Sequence, residues 1–211
     1  MTGTVLIDYG AGNLRSVANA LQAAGADRLT ISDAPDVVAR ADRIVLPGVG
    51  AFAHCMASLG AIMGMREALE QAVRVRGAPF LGICVGMQLL ADVGEEHGEQ
   101  AGLGWVPGRV RTMDGGTTGD GRDIRIPHMG WNQIGLPDGR DGTLVRVGEA
   151  YFLHSYHFCA ENSADVAAMS AHGQPIVAAV QRDNILGVQF HPEKSQAYGI
   201  ALLERFLTWT P

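Results

Sequence analysis

Pro79-Phe80-Leu81-Gly82-Ile83-Cys84-Val85-Gly86-Met87-Gln88-Leu89-Leu90-Ala91-Asp92 is the stretch that decides the fold. Its first part is a short apolar run, the pattern of a buried strand. Gly86 to Asp92 reads as a helix. Cys84 therefore falls at a strand-to-helix turn, between Gly82 and Gly86. Glycine suits both places, because a tight turn leaves no room for a Cβ. A thiol in this position is a nucleophile elbow, lifted above the edge of a sheet. The helix N-terminus behind it favours the thiolate over a free thiol of pKa about 8.5. By itself the pattern also suits a cysteine buried in a strand.

Working outward, the first half of the chain alternates. Val5-Leu6-Ile7 is strand-like, and Asn13 is placed to cap a helix with Leu14, Val17, Ala18 and Leu21 on one face and Gly25 at its end. Arg28 to Ser32 and Arg43 to Leu46 read as further strands, the latter closed by Pro47-Gly48-Val49-Gly50. Met65, Ala68, Leu69, Ala72 and Val73 form a second helical stripe, ended by Gly77. Alternation of this kind implies an open, mostly parallel sheet with helices on both faces. The second half has many short strand-like runs: Val106–Met113, Tyr151–Cys159, Val166–Ala171, Ile176–Gln181 and Ile185–Phe190. Antiparallel strands are expected there. Gly115 to Gly121 reads as a mobile surface loop. A helix over Gln196–Leu207 closes a single domain, residues 1–211.

Asn184 to Phe190 predicts a buried strand with His191 at its end. Residues two apart on extended chain face the same way, so His191 and Glu193 are expected to meet one site, with Pro192 keeping the backbone extended. A thiol, an imidazole and a carboxylate are the parts of a nucleophile, its base and the group that orients the base. Both halves lie at carboxyl ends of predicted strands, where open α/β sheets build their sites. An acyl thioester also needs oxyanion donors. The N–H of Val85 is the first candidate, and the Val49–Gly50 backbone the second.

Composition excludes several classes. Of 211 residues, 47% are apolar and 18% charged, which marks a globular chain with a full core. The net charge of −6 and the lack of a basic cluster argue against nucleic acid. No apolar run approaches membrane-spanning length. Met1 to Asp8 has no basic leader region, so no signal peptide is expected. Cys55, Cys84 and Cys159 are too few for a disulfide framework, which points to the cytoplasm. His154 and His157 would face opposite sides of one strand, so no metal site is expected; His97 and His172 read as solvated loop residues. Gly10-x-Gly12 lacks the third glycine of a dinucleotide fingerprint.

Pro47-Gly48-Val49-Gly50, Gly82-Ile83-Cys84-Val85-Gly86-Met87-Gln88 and Gly187-Val188-Gln189-Phe190-His191-Pro192-Glu193 together resemble the triad-type class I glutamine amidotransferases. Asp8-Tyr9-Gly10-Ala11-Gly12-Asn13-Leu14, Pro127-His128-Met129-Gly130-Trp131-Asn132 and Lys194-Ser195 are similar to the glutaminase subunits of imidazole glycerol phosphate synthases. The resemblance spans residues 6 to about 207. It implies a flavodoxin-like α/β fold and no cofactor. It implies Cys84 as nucleophile, His191 as base and Glu193 as its orienter. Val49, Gly50 and Val85 would form the oxyanion hole, and Gln88, Ser155 and Tyr156 would hold glutamine. The implied partner is a (β/α)₈-barrel cyclase subunit in a heterodimer, with Asn13, His128, Met129, Trp131, Asn132, Tyr151 and Lys194 at the partner interface or the ammonia exit. Ammonia would pass to that partner. Two other readings stand beside this one: the amidotransferase subunit of a different synthase, and a non-hydrolytic α/β thiol protein.

Overall fold

In the computed structural model, which describes residues 3–117, 123–139 and 142–211, strands and helices alternate from the start. The order is β1 (Thr4–Ile7), α1 (Leu14–Ala23), β2 (Leu29–Ser32), α2 (Pro35–Ala39), β3 (Arg43–Gly48), α3 (Phe52–Ala61), α4 (Met65–Leu69), β4 (Phe80–Cys84) and α5 (Val85–Gln88). A π-helical turn over Glu70–Val75 extends α4. Strands then take over: β5 (Val93–Gly94), β6 (Gln100–Ala101), β7 (Gly108–Thr112), β8 (His128–Ile134), β9 (Gly148–His154), β10 (Tyr156–Ala160), β11 (Val166–Ala171), β12 (Pro175–Arg182) and β13 (Ile185–Val188). Helix α6 (Gln196–Thr208) follows.

The main sheet has seven strands in the order β11-β12-β13-β4-β3-β1-β2. From β2 to β13 every neighbouring pair is parallel, in the flavodoxin-like arrangement. β12 and β11 add antiparallel pairs at one edge. Every residue of β1, β4 and β13 is buried, as a sheet covered on both faces requires. The register places Gly48 beside Cys84 and Val188 beside Ile83, so the carboxyl ends of β3, β4 and β13 lie level. A four-stranded sheet, β10-β7-β5-β6, and the hairpin β8-β9 are separate from the main sheet, with a bridge from Gly135 to Met169 tying the end of β8 to β11.

Both expected helical stripes form. In α1, Val17, Ala18 and Leu21 are buried, and Asn13 Oδ1 accepts the Ser16 N–H at 3.4 Å. Met65, Ala68, Leu69, Ala72 and Val73 are all buried. The helix expected over residues 86–92 stops at Gln88, however. The backbone of 103–106 turns back on it: the N–H groups of Leu103, Gly104 and Trp105 donate to the carbonyls of Leu89, Ala91 and Leu90. Those tertiary bonds replace the helix that local sequence favours. The third strand runs on through Pro47 and Gly48. The single strand expected over Tyr151–Cys159 breaks at Ser155 into β9 and β10, which pair with β8 and β7. Helix α3 is not among the expected helices, although Phe52, Cys55, Met56 and Leu59 recur at helical spacing and are all buried; helix α2 and strand β8 carry no clear periodic signal. In the glycine-rich stretch 115–121, residues 118–121 lie outside those described.

Candidate active site

The turn after β4 is strained. Cys84 adopts φ 54° and ψ −111°, a conformation that costs a non-glycine residue free energy and clusters at functional sites. The flanking glycines are needed for close approach: a Cβ on Gly86 would run into the Leu46 carbonyl, and one on Gly82 into the backbone of Gly86. Helix α5 is only one turn long, so its dipole is a smaller aid to the thiolate than the sequence suggests. The Cys84 thiol faces the Leu153 carbonyl and the Gln189 amide, each at 3.8 Å.

His191 follows β13 and is buried. Its Nδ1 lies 2.8 Å from Glu193 Oε1. The backbone between them is a turn of 3₁₀-helix over Pro192–Lys194, not the extended chain expected from the sequence. Pro192 opens that turn, and the N–H groups of Lys194 and Ser195 close it on the carbonyls of His191 and Pro192. The turn wraps Glu193 back beneath the ring. Ser195 locks the arrangement: its hydroxyl donates to the His191 carbonyl at 2.7 Å and accepts the Tyr151 N–H at 2.9 Å. Burial alone would discharge the ring. Hydrogen bonds and charge from Cys84 and Glu193 outweigh it and push the His191 pKa up to about 10.

A cavity of about 150 Å³ opens on the thiol. Cys84, His191, Val49, Gly50, Val85, Gln88, Ser155 and Tyr156, eight of the residues expected at the site, line it. Glu193 stands behind His191. Gln88 uses both its N–H groups inside the protein, on the Tyr156 carbonyl at 2.9 Å and Gln189 Oε1 at 3.1 Å, which leaves its own carbonyl for a ligand. Glu96, Leu153, His154 and Lys194 complete the lining. Glu96 was not anticipated, since Glu95-Glu96-His97 reads as a solvated loop. It is held by the N–H of Phe52 at the start of α3, at 2.7 Å, a contact between distant segments.

The loop 47–50 is held from below. Tyr9 donates its hydroxyl to the Pro47 carbonyl at 2.7 Å, and the Cys55 thiol faces the Val49 carbonyl at 3.4 Å. Burial pushes both ionisations upward, so phenol and thiol stay protonated as donors. A Cβ on Gly48 would lie 2.6 Å from the Gly86 nitrogen, so only glycine fits there.

The residues expected at a partner divide. Trp131 pairs with Tyr151 and Met129 with Leu153 across the hairpin, on one face. Trp131 is 47% exposed and Met129 65%, so neither is a core residue. The rings of Trp131 and Tyr151 meet edge to face at 6.2 Å, and Lys194 Nζ lies 5.6 Å from the Tyr151 ring. Asn13 is exposed at the start of α1. His128 departs from expectation. It lies on the opposite face, 3% exposed, and presents no surface to a partner. His172 is not a loose loop residue either: it stacks on His128 at 4.3 Å, and its Nε2 lies 2.8 Å from the Arg125 carbonyl. Among the described residues, no helix is long and apolar enough to cross a membrane.

The family model described as "Glutamine amidotransferase class-I" matches residues 5–209. An imidazole glycerol phosphate synthase subunit HisH from Zymomonas mobilis is 59% identical over 208 residues, 98% of this chain and 95% of that protein. The subunit of the same name from Caulobacter vibrioides is 48% identical and covers 100% of both. Among solved structures, one described as a crystal structure of glutamine amidotransferase superposes with a TM-score of 0.72 over 97% of each chain, at 19% identity. PurLQS from Thermotoga maritima superposes at 0.68 over 98% of each chain, at 16% identity. Those two likenesses are of fold.

Proposed function

The chain belongs to the class-I glutamine amidotransferases, among the HisH subunits of imidazole glycerol phosphate synthase, and from that premise we propose that Cys84, His191 and Glu193 are its catalytic triad. The protein is a glutaminase that serves histidine biosynthesis. We read residues 1–211 as one functional domain, working as a heterodimer with a (β/α)₈-barrel cyclase in the cytoplasm. Its three free thiols suit that reducing compartment.

The observation that carries the site assignment is the level meeting of two strand ends. Cys84 ends β4, and His191 follows β13 with its Nδ1 2.8 Å from Glu193 Oε1. In the reaction, the Cys84 sulfur attacks the side-chain carboxamide carbon of glutamine. The oxyanion is met by the Val85 N–H and by the backbone of Val49–Gly50. His191 gives its proton to the departing nitrogen, and ammonia leaves a γ-glutamyl thioester. The neutral ring then takes a proton from water, which attacks the thioester and releases glutamate. Glu193 holds Nδ1 throughout, so the other ring nitrogen serves the reacting atoms. Gln88, Ser155 and Tyr156 hold the glutamine.

The ammonia crosses the face that bears Met129, Trp131, Tyr151 and Lys194, with Asn13 at its margin; Asn132 lies behind that face, bonded to His128. On the cyclase it reacts with a phosphoribulosyl formimino-carboxamide ribonucleotide, giving imidazole glycerol phosphate and an aminoimidazole carboxamide ribotide. A diazo-ketone analogue of glutamine tests the site. With the cyclase bound, it is expected to label Cys84 and to be blocked by glutamine. Labelling of Cys55 or Cys159 instead, or of no thiol, overturns the assignment.

A further inference from the structure

Behind the exposed face of the β8–β9 hairpin lie three polar side chains that the triad chemistry leaves unused. They form a continuous line. His154 Nδ1 is 2.9 Å from the Tyr156 carbonyl, and His128 Nδ1 is 2.9 Å from His154 Nε2. Asn132 Nδ2 is 3.0 Å from His128 Nε2 and 2.8 Å from the Ala171 carbonyl. Asn132 Oδ1 accepts the Gln133 N–H at 2.8 Å.

Both ends of this line are backbone carbonyls, which only accept, so its polarity is fixed. The Ala171 carbonyl and the Gln133 N–H set the orientation of the Asn132 amide. At the far end, the Tyr156 carbonyl requires a proton on His154 Nδ1. His154 Nε2 is then an acceptor, which requires a proton on His128 Nδ1. His128 Nε2 is in turn an acceptor, and it receives the Asn132 N–H. Every contact has one donor and one acceptor only when both rings are neutral and both carry their proton on Nδ1. A second proton on either ring sets N–H against N–H. The surroundings oppose that proton. Burial, then the charge of His172, brings His128 down to about 4. Burial brings His154 down to about 3, with His128, His157 and His172 adding to the effect. On its other side His154 borders the pocket that Glu96, Lys194, Cys84 and His191 also line.

The geometry points to Asn132, His128 and His154 as positioning residues for glutamine. Their one-way line fixes the Tyr156 carbonyl, and with it the Ser155–Tyr156 wall of the pocket, from the strand that carries Trp131. The inference rests on the reading of Ser155 and Tyr156 as glutamine contacts. The fixed carbonyl also accepts from Gln88, which bonds Gln189, whose amide reaches the Cys84 thiol. Pocket wall and nucleophile thus share one anchor, and the hairpin sets its position.

The test uses the complex with the cyclase. His128→Phe keeps the stacking on Phe152 and His172 but removes both hydrogen bonds. His128→Asn places an amide donor where Nδ1 stood. His128→Phe is expected to raise KM for glutamine on the order of tenfold, the cost of a buried partner left unpaired. Its kcat and its ammonia-dependent synthesis should stay near wild type, and His128→Asn should recover most of the loss. In the wild-type complex with ¹⁵N-labelled histidine, both rings should show a protonated Nδ1 and a bare Nε2 from about pH 5 to 8. A proton on Nε2 of either ring, or a wild-type KM in His128→Phe, overturns the inference. If His128→Phe does not fold, the wild-type tautomers decide alone. Should Cys84→Ser keep its glutamine-dependent synthesis, the active-site reading falls while the tautomer result stands.

Discussion

The central strand ends and the hairpin place their chemistry in opposite ways. At the carboxyl ends of the central strands of the main sheet, three level strand ends bring the loop after β3, the thiol that ends β4 and the imidazole after β13 together, and the strands β4 and β13 are buried on both faces. Rigidity there comes from backbone ladders and from glycines that no other residue can replace. The hairpin β8–β9 has one buried face, with His128, Phe152 and His154, and one exposed face, with Met129, Trp131 and Leu153. Behind its backbone ladder, its buried polar side chains are held by a line of hydrogen bonds through side chains that ends on the Tyr156 and Ala171 carbonyls. The comparison teaches a division of labour for the proposed roles: the proposed reacting atoms sit on the part braced by backbone ladders, and the proposed partner contacts on the part that alternation leaves half open. Disruption at the central strand ends should therefore cost orders of magnitude in rate, while disruption on the hairpin should cost binding.

The largest effect is expected at Cys84. Cys84→Ser should lower glutamine-dependent synthesis by on the order of 10⁴–10⁶, to background. Synthesis from added ammonium salt should persist, because that chemistry belongs to the cyclase. Loss of both activities at unchanged stability would break the comparison at its firmest point. Glu193→Gln comes next, with glutaminase falling by up to about 10⁴-fold, as when a triad carboxylate is replaced by an amide. It also has a pH signature. The folded His191 pKa is about 10, above an unfolded value of about 6.5. The stabilisation is thus fully present below about 6.5 and lost as pH rises through about 10. Removing Glu193 takes away one cause of the raised value, so the alkaline loss of stability in thermal melts should begin at lower pH. An unmoved alkaline limb would show that Glu193 does not hold the ring.

Val49 tests whether the anion hole belongs wholly to the rigid region. The carbonyls of Pro47 and Val49 are held by Tyr9 and Cys55, so the peptide between Gly48 and Val49 is the one flanked on both sides by fixed neighbours. Val49→Pro removes that peptide's N–H. If it is an oxyanion donor, glutaminase in the complex with the cyclase should fall by about 10²–10³, with glutamine binding retained. Wild-type glutaminase activity in a variant that folds and associates normally would move the donor elsewhere. Gly48→Ala is a poorer probe, since its Cβ would collide with the Gly86 nitrogen.

The two regions were unequally legible in the sequence. The elbow could be read because strand, glycine, thiol, glycine and helix are neighbours in the chain. Spacing alone pairs His191 with Glu193, but the contact between them is made by a 3₁₀ turn and not by extended chain. The early stop of α5 was hidden, because it depends on backbone bonds from residues 103–106. Glu96 was hidden for a related reason, since the Phe52 N–H that orients it is distant in sequence. On the hairpin, the sequence motif points to Trp131 and Tyr151 as contact residues, and the first is exposed and the second half-buried. His128 was placed among them, but β-strand alternation puts it on the other face from Met129. One residue of register separates a surface contact from a buried link.

Trp131 sharpens the hairpin side of the comparison. Its ring is half exposed and meets Tyr151 edge to face, a geometry that suits the anchor role proposed for it. Trp131→Ala should weaken association with the cyclase by roughly 2 kcal/mol, about 30-fold in Kd, while the melting temperature of the subunit stays nearly unchanged. A large drop in melting temperature would assign Trp131 to the core.

The smallest effect separates the thiols. Cys55 and Cys84 are both buried, and both face a backbone carbonyl. They differ in their neighbours: Cys84 has an imidazole and a carboxylate, Cys55 the Tyr9 phenol. A serine at 55 keeps a donor for the Val49 carbonyl, and an O–H donates more strongly than an S–H. The loop 47–50 should therefore hold its place, and glutamine turnover in the complex should stay within about twofold. The hydroxyl must be buried where the thiol was, at a cost of about 1 kcal/mol once its bond to Val49 is counted, visible as a modest fall in melting temperature. Cys159→Ser, on the half-buried strand β10, should change neither quantity appreciably. A large loss of turnover in Cys55→Ser at near-normal stability would mean that the Val49 carbonyl has been repositioned, and the anion hole with it. The support beneath the loop would then belong to the catalytic apparatus, and the rigid region would extend one layer deeper than the strand ends.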